Sequence, residues 1–412
     1  EPRLPGVTAG GAIVIAAANV AAGAKLIHVV AITEVESGGD IDVLTNGHVT
    51  LTEKSGDLRV ERIKSTLNDV LLYSPARILD ARNDDFASGA EADVSGENIT
   101  LVAGVVLLHP PGTAADPGTP AGTAQGGIGQ RGNFLEIDTS YRTGTSGVLR
   151  AFDTTATVST DGIFIDEVIG DLRVHSVESL GDVSLRTTGQ SLAETGFPSG
   201  RPTGGSIVDA CGDDAANVVG RSIDLDANGA GASIGSRDNP FEIDSRVGSP
   251  AGSGDVGLEA TADIVVTETD GDLRLVLAHA FLGDIVLEVR ESADVDEHFA
   301  LLHSGAARFA EDATTWPGND PDAERQLAHG QVFAEQGSVT IRAGDNVTLD
   351  SNSEIAAAEG IDIFGDWGNG DLDSNGALPG DGWGTRMVLR GRLVAGAIVT
   401  AGDPFDPTRT GD

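Results

Sequence analysis

Short segments in which apolar and polar residues alternate recur along most of the chain. The stretch GSVTIRAGDNVTLDSNSEIAAAEGIDIFG, which begins at Gly337, shows the pattern best. Alternation with a period of two predicts strands whose side chains point in turn to a core and to solvent. Here we expect strands at 339–341, at 347–349, near 355 and at 361–363, joined by tight turns.

A longer repeat is superimposed on this rhythm. The pentapeptide GDLRV begins at Gly56 and again at Gly170, and GDLRL begins at Gly271. Two further blocks recur in the same order: RILDARNDDFA (77–87) as SIVDACGDDAA (206–216), and GIGQRGNFLEIDTS (127–140) as SIGSRDNPFEIDSR (233–246). The chain is therefore a divergent repeat of about 100–115 residues. In each pentapeptide we expect Gly and Asp to form a turn, Leu and Val to point inward, and Arg to pair with acids on adjoining strands.

The rhythm favours an all-β solenoid, a parallel β-helix with loop and short helical insertions. A sandwich closes its own core within about 100 residues, whereas this pattern continues across the repeats and suits stacked coils of roughly 20–25 residues. We divide the chain into four segments: an apolar strand-rich start of the solenoid (1–38), the repeats (39–290), an insertion with helix-compatible pieces around 294–303 and 321–329 (291–336), and C-terminal coils (337–412).

Charge narrows the range of partners. The chain has 64 acidic and 26 basic residues and a net charge of −38. Such a surface repels nucleic acid and attracts divalent cations. Aromatic residues make up only 4%, so the core must be aliphatic. No apolar run is long enough for a transmembrane helix. The single cysteine, Cys211, excludes an internal disulfide, and we expect it to be buried.

The blocks GSVTIRAGDNVTLDSNSEIAAAEGIDIFGDWG, IG…NPFEIDS and GDLRV…GDVSL resemble the giant filamentous-haemagglutinin-like adhesins of bacteria. The resemblance covers about residues 40–400, and its motifs mark architecture; none is catalytic. It implies a right-handed parallel β-helix in an extracellular or cell-surface rod that serves adhesion, biofilm or matrix assembly. The chain begins with Glu1 and shows no clear export domain, which suggests a processed subunit or an internal segment of a larger polypeptide.

One local motif suggests a metal site. The sequence DLDSNGALPGD begins at Asp371 and places Asp373 and Asn375 at positions 3 and 5, followed by a glycine. Alternate oxygens of this kind converge on Ca²⁺, with the Ala377 carbonyl as a further ligand. The glutamate expected at position 12 is absent, and Asp381 is its candidate substitute. An Asx-rich turn without metal remains the alternative.

Acidic pairs also recur in equivalent blocks. Asp80 precedes NDD at 83–85, and Asp209 precedes GDD at 212–214. These carboxylates either bind Ca²⁺ or form turns and caps. Because β-helices also carry polysaccharide lyases and hydrolases, an alternative function is a carbohydrate-active enzyme. The recurrence of the blocks argues against it, since an active site is normally unique.

The sequence thus predicts a structural and adhesive protein with no catalytic residues, a stiff acidic rod or filament subunit that structural calcium can strengthen. Self-association into filaments or continuation in a larger chain is expected, with a surface glycan or protein as the possible receptor. No nucleic acid and no membrane insertion are expected.

Overall fold

The computed structural model describes thirteen stretches of the chain: 7–9, 13–16, 31–37, 39–82, 92–104, 126–139, 147–155, 162–187, 205–245, 254–291, 297–303, 330–367 and 385–402. Every regular element within these stretches is a β-strand. The chain forms two compact units, Glu1–Thr203 and Gly204–Asp412. The all-β prediction is therefore confirmed for the described residues.

The described residues of unit 1 form fifteen strands: β1 (Val7–Ala9), β2 (Ile13–Ala16), β3 (Ala31–Ser37), β4 (Ile41–Thr45), β5 (Val49–Glu53), β6 (Leu58–Ser65), β7 (Val70–Tyr73), β8 (Ile78–Asp80), β9 (Val94–Ser95), β10 (Ile99–Ala103), β11 (Leu135–Asp138), β12 (Leu149–Asp153), β13 (Ile163–Glu167), β14 (Leu172–Glu178) and β15 (Val183–Thr187). They form two parallel ladders, one running β1-β3-β5-β7-β10-β12-β14 and the other from β2 through β4, β6, β9, β11 and β13 to β15.

In the part of unit 2 that the structure describes there are seventeen strands: β16 (Ile207–Asp209), β17 (Val218–Val219), β18 (Ile223–Ala227), β19 (Phe241–Asp244), β20 (Asp255–Ala260), β21 (Ile264–Glu268), β22 (Leu273–Ala280), β23 (Ile285–Val289), β24 (Phe299–Leu301), β25 (Gln331–Ala334), β26 (Val339–Arg342), β27 (Val347–Leu349), β28 (Glu354–Ala357), β29 (Ile361–Phe364), β30 (Met387–Leu389), β31 (Arg392–Ala395) and β32 (Val399–Gly402). The ladder β17-β19-β21-β23-β26-β29-β32 is parallel. A second parallel set begins β18-β20-β22 and continues along two lines, β24-β27-β30 and β25-β28-β31.

The register stacks like residues on one another. In unit 2 Ile264 pairs with Ile285, which pairs with Val339, which pairs with Ile361. All four are completely buried. Successive partners are 21 or 22 residues apart, except where residues 292–296 and 304–329 intervene. Insertions are therefore accommodated between strands, and the aliphatic columns continue past them.

The four strands expected between 337 and 365 are confirmed as β26 to β29, shifted by at most one residue at their ends. The helix-compatible pieces expected around 294–303 and 321–329 are described only at 297–303, because residues 292–296 and 304–329 lie outside the described residues. Residues 299–301, inside a stretch that the sequence suggested was helix-compatible, form β24, because Phe299 and Leu301 are buried in register with Leu273 and Leu275 of β22. A local helical pattern was outweighed by two apolar residues at strand spacing.

The pentapeptides occupy the turns and strands expected of them. The glycine has a φ of +80° at Gly56 and +84° at Gly271, a left-handed conformation that only glycine adopts without strain. The two apolar residues that follow are completely buried in all three copies: Leu58 and Val60, Leu172 and Val174, and Leu273 and Leu275. Arg59 Nε lies 2.9 Å from Asp40 Oδ1, and Arg274 Nη2 lies 3.4 Å from Asp255 Oδ1. Each acid lies 19 residues earlier, so the expected pairing between adjoining strands is confirmed for these two copies.

Candidate functional site: buried acidic clusters

The predicted calcium loop lies outside the described residues. This applies to all of its proposed ligands: Asp371, Asp373, Asn375, Ala377 and Asp381. Among the described residues, two other groups bring three acids together, one in each unit: Asp80, Asp93 and Glu136, and Glu291, Glu297 and Asp345.

The cluster of unit 1 consists of Asp80, Asp93 and Glu136. Asp80 ends β8, Asp93 directly precedes β9, and Glu136 lies on β11. One carboxylate oxygen from each lies within 4.8 Å of the other two. The three residues are 4%, 0% and 3% exposed. Parallel stacking creates this group, because residues distant in sequence occupy neighbouring strands.

A backbone hydrogen bond holds one oxygen of the Asp93 carboxylate. The backbone NH of Glu136 donates to Asp93 Oδ2 at 3.2 Å. Asp93 Oδ1 is buried and accepts no hydrogen bond from any residue that the structure describes. Burial, and next the negative charge of Asp80, raise the pKa of Asp93 well above its usual value. An electropositive species between these carboxylates would relieve the cost of burying them.

The second repeat carries an equivalent group with one substitution. Asp209 ends β16, Asn217 precedes β17, and Glu242 lies on β19. The Glu242 NH donates to Asn217 Oδ1 at 3.1 Å, matching the bond to Asp93. In addition, the Asn217 side-chain amide donates to Asp209 Oδ1 at 2.7 Å. Asn217 thus provides a donor that a carboxylate at the same place cannot provide.

Two asparagines outside the acids confirm that the groups are equivalent. Asn133 Nδ2 donates to the backbone oxygen of Asp80 at 3.3 Å, and Asn239 Nδ2 donates to that of Asp209 at 3.2 Å. The match therefore extends to the surrounding turn and is not limited to the acids.

The turn around Asp209 also answers two sequence predictions. Its carboxylate accepts backbone hydrogen bonds from Cys211, at 2.7 Å, and from Gly212. Asp213 accepts one from the backbone of Ala215 at 3.0 Å. Turn formation therefore describes these acids of unit 2, while residues 83–85 lie outside the described part of the chain. Cys211 is exposed, not buried as expected, because it lies in this surface turn.

In the equivalent group of unit 2, the glutamate Glu242 has a raised pKa. Burial, and next the charge of Asp209, raise the pKa of Glu242 from 4.5 to about 7, while Arg290 opposes the shift. Glu242 is 3% exposed.

The other acidic cluster joins Glu291, which follows β23, with Glu297 and Asp345. The Glu297 NH donates to Asp345 Oδ2 at 2.5 Å. Glu297 is buried, whereas Glu291 and Asp345 are half-buried. This group is more open than the cluster of unit 1.

A separate pair of glutamates recurs as a structural cap. The carboxylate of Glu167 accepts hydrogen bonds from the Thr139 NH, at 3.1 Å, and hydroxyl, at 2.7 Å. Glu268 accepts the same two from Ser245, at 3.0 and 2.7 Å. Both glutamates are completely buried, and burial is the main cause that raises the pKa of each well above its usual value.

No protein-family model, curated protein or solved structure matches this chain. The resemblance to filamentous adhesins therefore has no independent support. Within the described residues, no helix is long and apolar enough to cross a membrane.

Sequence reasoning singled out Asp80 and Asp209 but missed Asp93 and Glu136. For Glu136 the repeat alignment offered a signal, because FLEID and FEID share a glutamate at the same place on a strand. That signal was weak, since an acid on a strand of this chain would normally face solvent. Asp93 had no such signal, because its partners lie 13 and 43 residues away in sequence.

Proposed function

We propose that the chain is a structural shaft, a right-handed parallel β-helix that serves as a stiff acidic spacer in an extracellular adhesive or matrix protein. The observation that carries this proposal is the recurrence of whole interaction sets. Glu167 with Thr139 and Glu268 with Ser245 form the same buried cap in the two units. Repetition of supporting contacts is typical of solenoids.

Ion pairs that recur in the two repeats support the same interpretation. Arg131 Nη2 lies 3.6 Å from Asp182 Oδ2, and in the second repeat Arg237 Nη2 lies 2.6 Å from Asp284 Oδ2. These contacts use basic residues, which are scarce in this chain, to join acids that lie 51 and 47 residues further along the sequence. Such a role is structural, and it requires no substrate.

The carbohydrate-active alternative receives less support from the acids. The three carboxylates of the cluster in unit 1 are at most 4% exposed, so a polysaccharide could not reach them in this conformation. Hydrolysis by paired carboxylates requires that the sugar lie between them. Incubation with a panel of acidic and neutral polysaccharides tests the alternative: production of reducing or unsaturated ends would contradict the proposed structural role.

Association with further copies, or with more of the same chain, also belongs to the proposal. Apolar residues are exposed near the last described strands, with Ile398 69% and Val399 44% exposed. Sheet edges and apolar ends of solenoids are normally covered. Negative-stain electron microscopy of the purified chain over a range of concentrations tests this. Elongated particles that join end to end are expected, and compact globular particles at every concentration would contradict the shaft.

A further inference from the structure

We propose that the cluster of Asp80, Asp93 and Glu136 binds one Ca²⁺ ion, which takes the place occupied in the second repeat by the amide of Asn217. This site is separate from the candidate loop at 371–381, and it does not depend on an adhesive role for the protein.

The ligand chemistry favours a hard cation. All three side chains offer carboxylate oxygens, with no His or Cys among them, and carboxylates select calcium or magnesium over soft metals. Calcium binds oxygens at 2.3–2.6 Å, so two oxygens of one site can be up to about 5 Å apart. The observed limit of 4.8 Å agrees with that span.

Burial favours calcium over magnesium. The three residues are between 0% and 4% exposed, and three carboxylates can supply up to about six oxygens by bidentate binding, which meets the lower coordination number of calcium. Magnesium retains several of its waters in most protein sites. A site built almost entirely from buried protein oxygens therefore suits calcium better.

A second observation points to a ligand independently of the acidity. Asp93 is completely buried, and its Oδ1 has no hydrogen-bond partner among the residues that the structure describes. A buried carboxylate oxygen that lacks a donor is costly. A cation between Asp93 and its two neighbours would coordinate this oxygen and offset the repulsion.

The second repeat serves as an internal control. There the Asn217 amide donates to Asp209 Oδ1 at 2.7 Å, so that pair needs neither a proton nor a cation between its oxygens. Replacing Asn217 by its counterpart Asp93 removes the donor and adds a negative charge. The difference between the repeats is therefore one that a cation would balance.

Isothermal titration calorimetry of the full chain, stripped with chelator and titrated with Ca²⁺, tests the proposal. Asp93→Asn is the decisive variant, because Asn217 shows that asparagine is accommodated at this place. We expect the variant to bind one Ca²⁺ fewer per chain than the wild type. Asp371→Asn combined with Asp373→Asn removes the candidate loop and should leave the Asp93-dependent event in place. Asp213→Asn, at an exposed acid of unit 2, is the matched control and should bind as the wild type does.

Thermal unfolding provides a second measurement. Saturating Ca²⁺ should raise the Tm of the wild type by about 2–6 °C. In Asp93→Asn, Ca²⁺ should leave the melting of unit 1 unchanged, because the cluster no longer binds the ion. In chelator, Asp93→Asn should melt above the wild type, because the new amide can donate to Asp80. If this variant fails to fold, Glu136→Gln replaces it in both measurements.

Equal Ca²⁺ stoichiometry in the wild type and Asp93→Asn would overturn the proposal, as would a wild-type chain that binds no Ca²⁺ and holds a proton between the carboxylates. An equal shift in Tm with Mg²⁺ would overturn the assignment to calcium.

Discussion

Arg186 donates a hydrogen bond from Nε to Asp166 Oδ2 at 3.0 Å, and the two side chains are only 7% and 2% exposed. Its guanidinium carbon also lies 3.7 Å from the centre of the Phe134 ring. Arg59 and Asp40 form a pair at nearly the same distance, 2.9 Å, but their side chains are 45% and 39% exposed. The same pairing across strands thus occurs in two different environments.

Replacement of Arg186 by leucine should lower the free energy of unfolding by about 3–5 kcal/mol, because it leaves the Asp166 carboxylate buried without this cation. Arg59→Leu is the matched control and should cost at most about 1 kcal/mol, since water solvates both partners of the exposed pair. Urea denaturation followed by circular dichroism measures both. Equal losses in the two variants would contradict the importance of burial.

The stability of unit 2 should fall as the pH rises through neutrality. The pKa of Glu242 is about 7 in the fold, against 4.5 for the ordinary group. Its carboxyl is therefore protonated in the fold and ionised in the unfolded chain between these values. The contribution is fully present below pH 4.5 and is lost as the pH rises through 7, by about 3 kcal/mol in all.

Thermal melts between pH 4.5 and 8 test this, with Glu242→Gln compared to the wild type. The variant should show a shallower decline of Tm with rising pH, because its amide does not ionise. Asp213→Asn removes an exposed carboxylate of the same unit and should retain the wild-type slope. A slope that Glu242→Gln leaves unchanged would assign the pH dependence to other groups.

Loss of the recurring hydroxyl caps should be costly in both units. Ser245→Ala removes the 2.7 Å bond to buried Glu268, and Thr139→Val removes the equivalent bond to Glu167. Each should lower the free energy of unfolding by about 1–3 kcal/mol, since a buried carboxylate loses a donor. Ser338→Ala, whose hydroxyl donates to exposed Glu359 at 3.1 Å, should cost much less. Denaturant melts of the three variants would refute the cap if their losses were equal.

Close packing between neighbouring strands leaves no room for a side chain at Gly254. A Cβ added at Gly254 would lie 1.1 Å from the backbone oxygen of Arg221, whereas one at Gly360 would lie 3.5 Å from that of Ile398. Gly254→Ala should therefore displace the backbone and cost at least about 3 kcal/mol. Gly360→Ala should change stability by less than about 1 kcal/mol. Comparable Tm values for the two variants would show that the layers can separate without loss.

Much of the fold followed from local pattern. The strands between Val339 and Phe364 were predictable to within a residue, because each alternates apolar and polar side chains and is bounded by turn residues. The inward Leu58 and Val60 and the outward Arg59 were predictable for the same reason. The short strand at Phe299 was not, since three residues carry too little pattern to outweigh a helix-compatible neighbourhood.

For the acidic residues, too, local pattern predicted some features and only the folded chain revealed others. Composition and spacing within a few residues were enough to predict an all-β repeat with an aliphatic core, turns at the recurring glycines, and a strongly negative surface in a chain with 64 acids. The folded chain was needed to show that Asp80, Asp93 and Glu136 meet in a buried group and that Asn217 replaces Asp93 in the second repeat. Parallel pairing of strands brings together residues that are far apart in sequence. The burial that distinguishes these acids from the many on the surface depends on which strands become neighbours.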